Sequence, residues 1–433
     1  MSAVPLPAAG TGDDALAGPV QPSLALFYAL TVVGFPLAST LPVLLRMDTQ
    51  AASVPFRGLM ILLFLWIACD SLVRGRRMYA GVALLPLVAL WWLLIARLLQ
   101  GTLIDPVPGS LGMPVSQYLL LSLGACFLPA LGFLAAPSAA TLELARRLIE
   151  ILGAVAMILL VYAAISALTT GRIFTRLSTE MLNPISVGHL GASVFIVTLI
   201  GLSRSTGVMW LLRWAVIAFA VLMTVASGSR APILAALLMA AVHVFTQRRS
   251  GRGGALRVAL RLGLLVVAGV LCGLLIVYLE QNAAVQMASR FTEVGADASS
   301  RERELLFAGA WRQFVASPLL GDAFIERRFM SYPHNILLES MMATGIVGLV
   351  LLIAVLLVSS LAAARLVLDG GAVTWVGYMF FQNLVAQMFS GSLLLDGRFW
   401  GFTLAVLALA SALRYRHAAA GPGIAVPRTA GAR

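Results

Sequence analysis

The chain has no lysine: all 30 basic residues among its 433 are arginine. It is also poor in charge of any kind, at 11%, and carries four histidines and three cysteines. Each scarcity excludes something. A soluble domain is about half apolar and about a quarter charged. A chain that is 60% apolar, with a mean hydropathy of +0.96, is therefore not a water-soluble enzyme of this size. Cys69, Cys126 and Cys272 are an odd number and all lie inside apolar runs, which argues against a disulfide framework and against a zinc site. There is no Asp-x-Asp, and acids such as Asp48, Asp105 and Glu180 stand alone, so no divalent metal site is expected. The net charge of +12 would suggest nucleic acid in a soluble protein; here it fits membrane orientation and anionic ligands instead, with no nucleic-acid partner.

What the chain does have is apolar sequence, enough for about twelve spans at roughly 20 residues each. The runs fall at 23–45, 56–73, 78–99, 115–136, 148–169, 184–203, 209–227, 231–246, 259–280, 335–362, 372–391 and 399–413. The expected fold class is an all-α polytopic integral membrane protein of about twelve transmembrane helices. Residues 1–22 lack a basic n-region and a short apolar core, and read as a disordered cytoplasmic tail. Residues 23–414 form the helical domain and 415–433 a second cytoplasmic tail. No internal repeat and no second soluble domain is expected.

Alternate loops carry Arg74, Arg76 and Arg77, then Arg146 and Arg147, Arg204, then Arg248, Arg249, Arg252 and Arg257, and finally Arg414 and Arg416. These are assigned to the cytoplasm with both termini. The opposite face also carries arginine, including Arg172, Arg176, Arg230, Arg290, Arg301, Arg303, Arg327, Arg328 and Arg398. Positive charge placed against the topological rule suggests an anion bound there. The longest outer loop, 281–333, holds six arginines and six acids. Ser299 and Glu302 have capping-box spacing, and Phe307, Ala310, Trp311 and Phe314 recur at helical spacing, so this loop is partly helical.

Four features carry possible chemistry. His334 follows Pro333 at the start of a long helix on the outer face. As an interfacial residue it needs no function; as a base it benefits from the helix N-terminus and nearby arginines, which favour the neutral ring. Ser227–Gly228–Ser229–Arg230 followed by Ala231–Pro232 makes a turn between two apolar runs, and the turn alone does not explain an arginine at that boundary. Arg301 opens the loop helix, where backbone N–H groups also favour an anion, whereas Arg303 reads as a surface partner of the neighbouring acids. Asp396 either pairs with Arg398 or orients a substrate hydroxyl or His334.

Taken together, residues 210–400 resemble the O-antigen ligases, in the wider group with O-antigen polymerases and protein O-oligosaccharyltransferases. The turn at 227–230, Arg301 with Leu305, the stretch from Trp311 to Ser317–Pro318–Leu319–Leu320–Gly321, and His334–Asn335 followed by Gly345–Ile346–Val347–Gly348 match the family in order and spacing. The resemblance implies a GT-C-like glycosyltransferase that moves a glycan from undecaprenyl diphosphate to lipid A–core oligosaccharide. The reaction would occur on the periplasmic face of the bacterial inner membrane, without cofactor or metal. It implies Arg230 and Arg301 as the diphosphate clamp, His334 as the base, and Asn335 and Asp396 as further substrate-binding residues. Its partners would be the lipid-linked donor, the lipid A–core acceptor and membrane lipids. Inversion of configuration is expected from direct attack on the anomeric carbon. The same features leave room for an O-antigen polymerase and, in a different class, for a transporter or flippase of an anionic lipid.

Overall fold

The computed structural model describes residues 16–45, 50–75, 78–79, 81–107, 113–169, 182–203, 205–249 and 298–419. Among them no strand occurs, only the isolated bridges Met78–Ala135 and Glu326–Ser331. The protein is an all-α polytopic membrane protein. Its helices are α1 (Pro22–Leu45), α2 (Gln50–Val73), α3 (Leu85–Leu103), α4 (Val115–Leu120), α5 (Leu128–Ala130), α6 (Ala139–Thr169), α7 (Pro184–Leu202), α8 (Gly207–Ala226), α9 (Arg230–Arg249), α10 (Ala298–Ala316), α11 (Ile336–Asp369), α12 (Thr374–Phe389) and α13 (Gly397–Ala419). A π-helical stretch, Leu121–Phe127, joins α4 to α5.

Among the described residues eight stretches are long and apolar enough to cross a bilayer: Pro22–Thr40, Ala52–Val73, Val82–Leu103, Val115–Leu134, Ala139–Ser166, Pro184–Leu202, Gly207–Ala226 and Ile336–Asp369. Of the other expected runs, 259–280 lies outside the described residues, and 231–246 falls in a shorter apolar helix, Arg230–Thr246. The runs 372–391 and 399–413 became α12 and α13, which are not among the eight. They are nevertheless interior helices. With α7 they are buried along nearly their whole length, the mark of helices surrounded by other helices. α12 keeps Gln382, Asn383 and Gln387 inside the bundle, where Gln382 bonds to Ser193 and to the carbonyl of His189 on α7. The surrounding helices turn Leu62 and Trp66 of α2, Trp92 of α3, Ile151 and Ile158 of α6 and Leu361 of α11 outward, as lipid-facing surfaces require.

One joint sets the position of the site. Gly345 breaks α11 with φ +66°. A Cβ there would lie 2.3 Å from the Leu319 carbonyl oxygen. Gly321, at φ +73°, approaches the Ala343 backbone equally closely. The amides of Ile346 and Val347, which begin the second limb of α11, donate to the carbonyls of Pro318 and Leu319 at 2.8 and 3.4 Å. The Ser317–Gly321 stretch and the Gly345 motif are thus two halves of one backbone contact, and only glycine fits at its centre. Arg97 of α3 locks it from the side, donating to the carbonyls of Leu320, Gly321 and Asp322.

Candidate active site

His334 precedes α11 in a left-handed backbone conformation, φ 55°, that is costly for a non-glycine residue and persists only when its surroundings hold it. They do. Tyr332 packs edge-on against the imidazole with ring centroids 4.4 Å apart. The backbone of Ser390 lies close enough to the ring to act on its pKa, while Nδ1 has no hydrogen-bond partner. Burial lowers the imidazole pKa below its usual value, and Arg303 lowers it further; Ser390 and Glu302 oppose the shift. The lowered pKa favours the neutral ring, and Nδ1 is without a hydrogen-bond partner, as a general base requires. Burial pushes the Tyr332 phenol up to about 12, so it stays protonated.

The imidazole lines a cavity of about 460 Å³, within the range of small-molecule sites. Its polar part gathers Arg57 of α2, Asn183, Ser186 and His189 of α7, Tyr332, Ser390, Ser392, Asp396 and Arg398. Its apolar wall follows α1 from Phe35 to Phe27 and includes Phe56, Met60 and Phe133. Gly397 rests on the π-helical stretch: its Cβ position lies 2.9 Å from the Ala125 carbonyl oxygen, which brings the start of α13 against Cys126. The starts of α7 and α13 reach this cavity and His334 directly precedes α11, so the dipoles of three helices, each capped by an Asn or Asp side chain, point their positive ends toward it. Neither Arg57 nor Arg398 forms an ion pair among the described residues.

The residues expected from the sequence fall in different places. Arg230 heads α9, exposed, and is not among the cavity-lining residues. Its turn does approach the cavity wall: Gly228 adopts φ +59°, and Ser227 and Pro232 close over Gly188, the neighbour of His189. Arg301 lies in the first turn of α10, and its side chain is outside the described residues. Arg303, expected from the sequence to partner neighbouring acids, also lies close enough to His334 to lower its pKa. Arg327 is held by Asp322 and Asp105, so one of the outer arginines is structural.

Asn335 has a different job from the expected substrate contact. Its Oδ1 accepts from the amides of Leu337 and Leu338 at 3.1 and 3.2 Å, capping α11, and its Nδ2 donates to the Met388 carbonyl at 3.0 Å. Asp396 lines the cavity, but its Oδ1 caps α13 by accepting from the amides of Arg398 and Phe399 at 3.1 and 3.2 Å. Its contact with Arg398 is with the backbone, not the guanidinium.

Sequence reasoning missed Arg57 and His189 as site residues. From sequence, His189 is a residue inside a span without a role; in the fold it is 5% exposed, lines the cavity, and its Nε2 has no partner. An ionisable residue inside a span is itself a signal of function. Among the described residues no group of three or more His, Cys, Asp or Glu is placed to hold a metal. Cys69 and Cys126 are free thiols, and Cys272 lies outside the described residues.

Residues 215–353 match the family model described as O-antigen ligase. No curated protein matches the chain.

Proposed function

We propose, from the premise that the chain belongs over residues 215–353 to the O-antigen ligase family, that it transfers a glycan from undecaprenyl diphosphate to lipid A–core oligosaccharide. The observation that carries this reading is the cavity itself. It joins an imidazole with a nitrogen lacking a hydrogen-bond partner, two arginines that form no ion pair among the described residues and an apolar wall along α1. A donor with a prenyl tail, a diphosphate and a sugar presents chemistry to match each of the three.

In this reading the acceptor hydroxyl gives its proton to His334 as its oxygen attacks the anomeric carbon of the donor sugar. The bond from that carbon to the phosphate oxygen breaks, and the diphosphate leaves with the electron pair. Negative charge grows on the leaving group, and guanidinium groups stabilise it by forked hydrogen bonds without deprotonating. Arg57 and Arg398 are the arginines at the cavity wall. Arg230 and Arg301 complete the clamp when donor is bound, and Asp396 orients the acceptor while holding the start of α13. Direct displacement inverts the anomeric configuration, and fixed cations take the place of a divalent ion. The cavity end faces the periplasm of a bacterial inner membrane.

The test is reconstitution of the purified protein with lipid-linked glycan and lipid A–core in metal-free buffer. Joined product, with inverted linkage by NMR, is expected. Extension of the lipid-linked glycan with no product on lipid A–core would replace this reading with polymerase activity. Movement of lipid-linked substrate across vesicles without new bonds would replace it with transport.

A further inference from the structure

We propose that Glu339 is a positioning residue for His334: its buried carboxyl group clamps residues 392–393, and through them the segment whose backbone orients the imidazole. The inference rests on the reading of His334 as the base.

Glu339 lies in the first turn of α11 and is 0% exposed. Its Oε1 accepts from the Ser392 hydroxyl at 2.9 Å and its Oε2 from the Leu393 amide at 2.8 Å. Ser392 Oγ accepts in turn from the Leu394 amide at 3.2 Å, and the Trp400 indole donates to the Leu393 carbonyl at 2.7 Å. No arginine among the described residues pairs with this acid. It is the inner end of a two-point dock. Asn335 ties to Met388, and Glu339 to Ser392 and Leu393, and Ser390, which lines the cavity with His334, lies between the two points. The start of α11 is thereby registered against the connection from α12 to α13, whose residues Ser390, Gly391, Ser392 and Asp396 also form the cavity wall.

A buried carboxyl group held by neutral donors is an expensive way to join two segments, and an apolar contact would join them as well. What the carboxyl group adds is direction: two oxygens fix a hydroxyl and an amide one residue apart, and so fix the carbonyl two residues earlier. His334, in a strained conformation, needs such a fixed partner. An acid in the first turn also favours α11 through the helix dipole, so stability alone does not identify this role.

The experiment uses the full-length protein in nanodiscs and two readouts. One is the titration of His334 by NMR of ¹⁵N-histidine-labelled protein without substrate, its signal identified by loss in His334→Ala. The other is kcat and donor KM for ligation of lipid-linked glycan to lipid A–core. In Glu339→Ala, kcat falls at least about tenfold, since small misplacements of a reacting group are costly. Donor KM stays within about threefold, as expected when only a transition-state interaction is lost. The His334 midpoint moves to lower pH, because the Ser390 contact that raises it is weakened. The charged groups near the ring, Arg303 and Glu302 from α10 and Asp396 and Arg398 at the cavity wall, are unchanged in the variant; Glu339 also acts on Tyr332, which packs on the ring, and Glu339→Gln, which removes the charge and keeps the clamp, separates that effect from the position of the segment.

Glu339→Gln directs its carbonyl to the Leu393 amide and its NH₂ to Ser392 Oγ, and keeps most of the rate and the wild-type midpoint. Ser392→Ala covers the case in which Glu339→Ala does not fold, and moves both readouts in the same direction by less. Unchanged midpoint and kcat in Glu339→Ala and Ser392→Ala overturn the proposal. So does a Glu339→Gln as impaired as the alanine variant, which would assign the acid a proton-carrying role. Because the titration needs no substrate, a wild-type protein that fails to ligate sinks the ligase reading and leaves this test standing.

Discussion

Two groups of arginines, one at each end of the helical bundle, are handled in opposite ways. At the end formed by the start of α6, the close of α7 and the start of α8, arginines are matched with acids. Arg146, 3% exposed, pairs with Glu143 at 2.7 Å and with Glu150, and Glu150 also binds Arg213 at 3.2 Å. Arg213 donates as well to the Gly201 carbonyl at 2.6 Å, tying α7 and α8 together. At the end that carries His334, Arg57 and Arg398 line a cavity and form no ion pair among the described residues. The same residue type is a fastener where an acid pairs with it, as for Arg146 and Arg213 and, near the site, Arg327, and an unpaired cavity residue at Arg57 and Arg398. What separates the roles is whether an acid of the chain pairs with the guanidinium.

His334→Ala strikes the open end hardest. Transfer measured with purified donor and acceptor should fall about 10²–10⁴-fold, with donor binding nearly intact. In the wild type the rate should decline as pH falls and the imidazole protonates. Burial and Arg303 depress its pKa, so the midpoint of that decline should lie below the unperturbed value of about 6.5. Loss of rate toward alkaline pH instead would show that the imidazolium is the working form.

Arg146→Ala strikes the closed end. It leaves Glu143 and Glu150 without their main partner and should destabilise the fold by about 3–5 kcal/mol, read as a drop in Tm in detergent. Transfer per folded molecule should be unchanged. A catalytic defect with normal Tm would erase the contrast between the ends.

Arg57→Ala and Arg398→Ala should behave inversely, with little change in Tm and donor affinity weakened about 10–100-fold, the worth of a lost charge-assisted hydrogen bond. Lysine should restore only part of it, lacking the planar fork. Normal donor binding in both variants would remove these residues from the clamp. The smallest effect expected is none: EDTA should leave transfer unaltered, and a strict Mg²⁺ or Mn²⁺ requirement would show that a divalent ion, not arginine alone, carries the leaving-group charge.

The fold class was legible because apolar runs are long and charges rare, which local sequence reports directly. His334 was legible for a similar reason: proline before it and an apolar helix after it mark a boundary. Arg57 was not, because it stands beside Phe56 at the edge of a run, and its approach to α13 is a tertiary fact. For Asn335 the signal was present but pointed to structure rather than substrate, since asparagine immediately before a helix is a strong N-cap. Arg303 has acids beside it in sequence, and only the fold turns it toward His334. The Gly345 motif was visible as a pattern, but its meaning needed the Leu319 carbonyl, 26 residues away in sequence, to be seen pressing against it.

That glycine also acts as a depth gauge. Unbroken, the 34 residues of α11 would reach about 51 Å, far beyond a hydrocarbon core of about 30 Å. The break divides it into a limb from Ile346 to Asp369 of about 36 Å, long enough to cross such a core with modest tilt, and a second limb of about two and a half turns. His334 precedes the shorter limb. The distance of the imidazole from the longer limb is therefore set by a count of residues and one backbone joint, as a spacer of fixed length sets the reach of a tool.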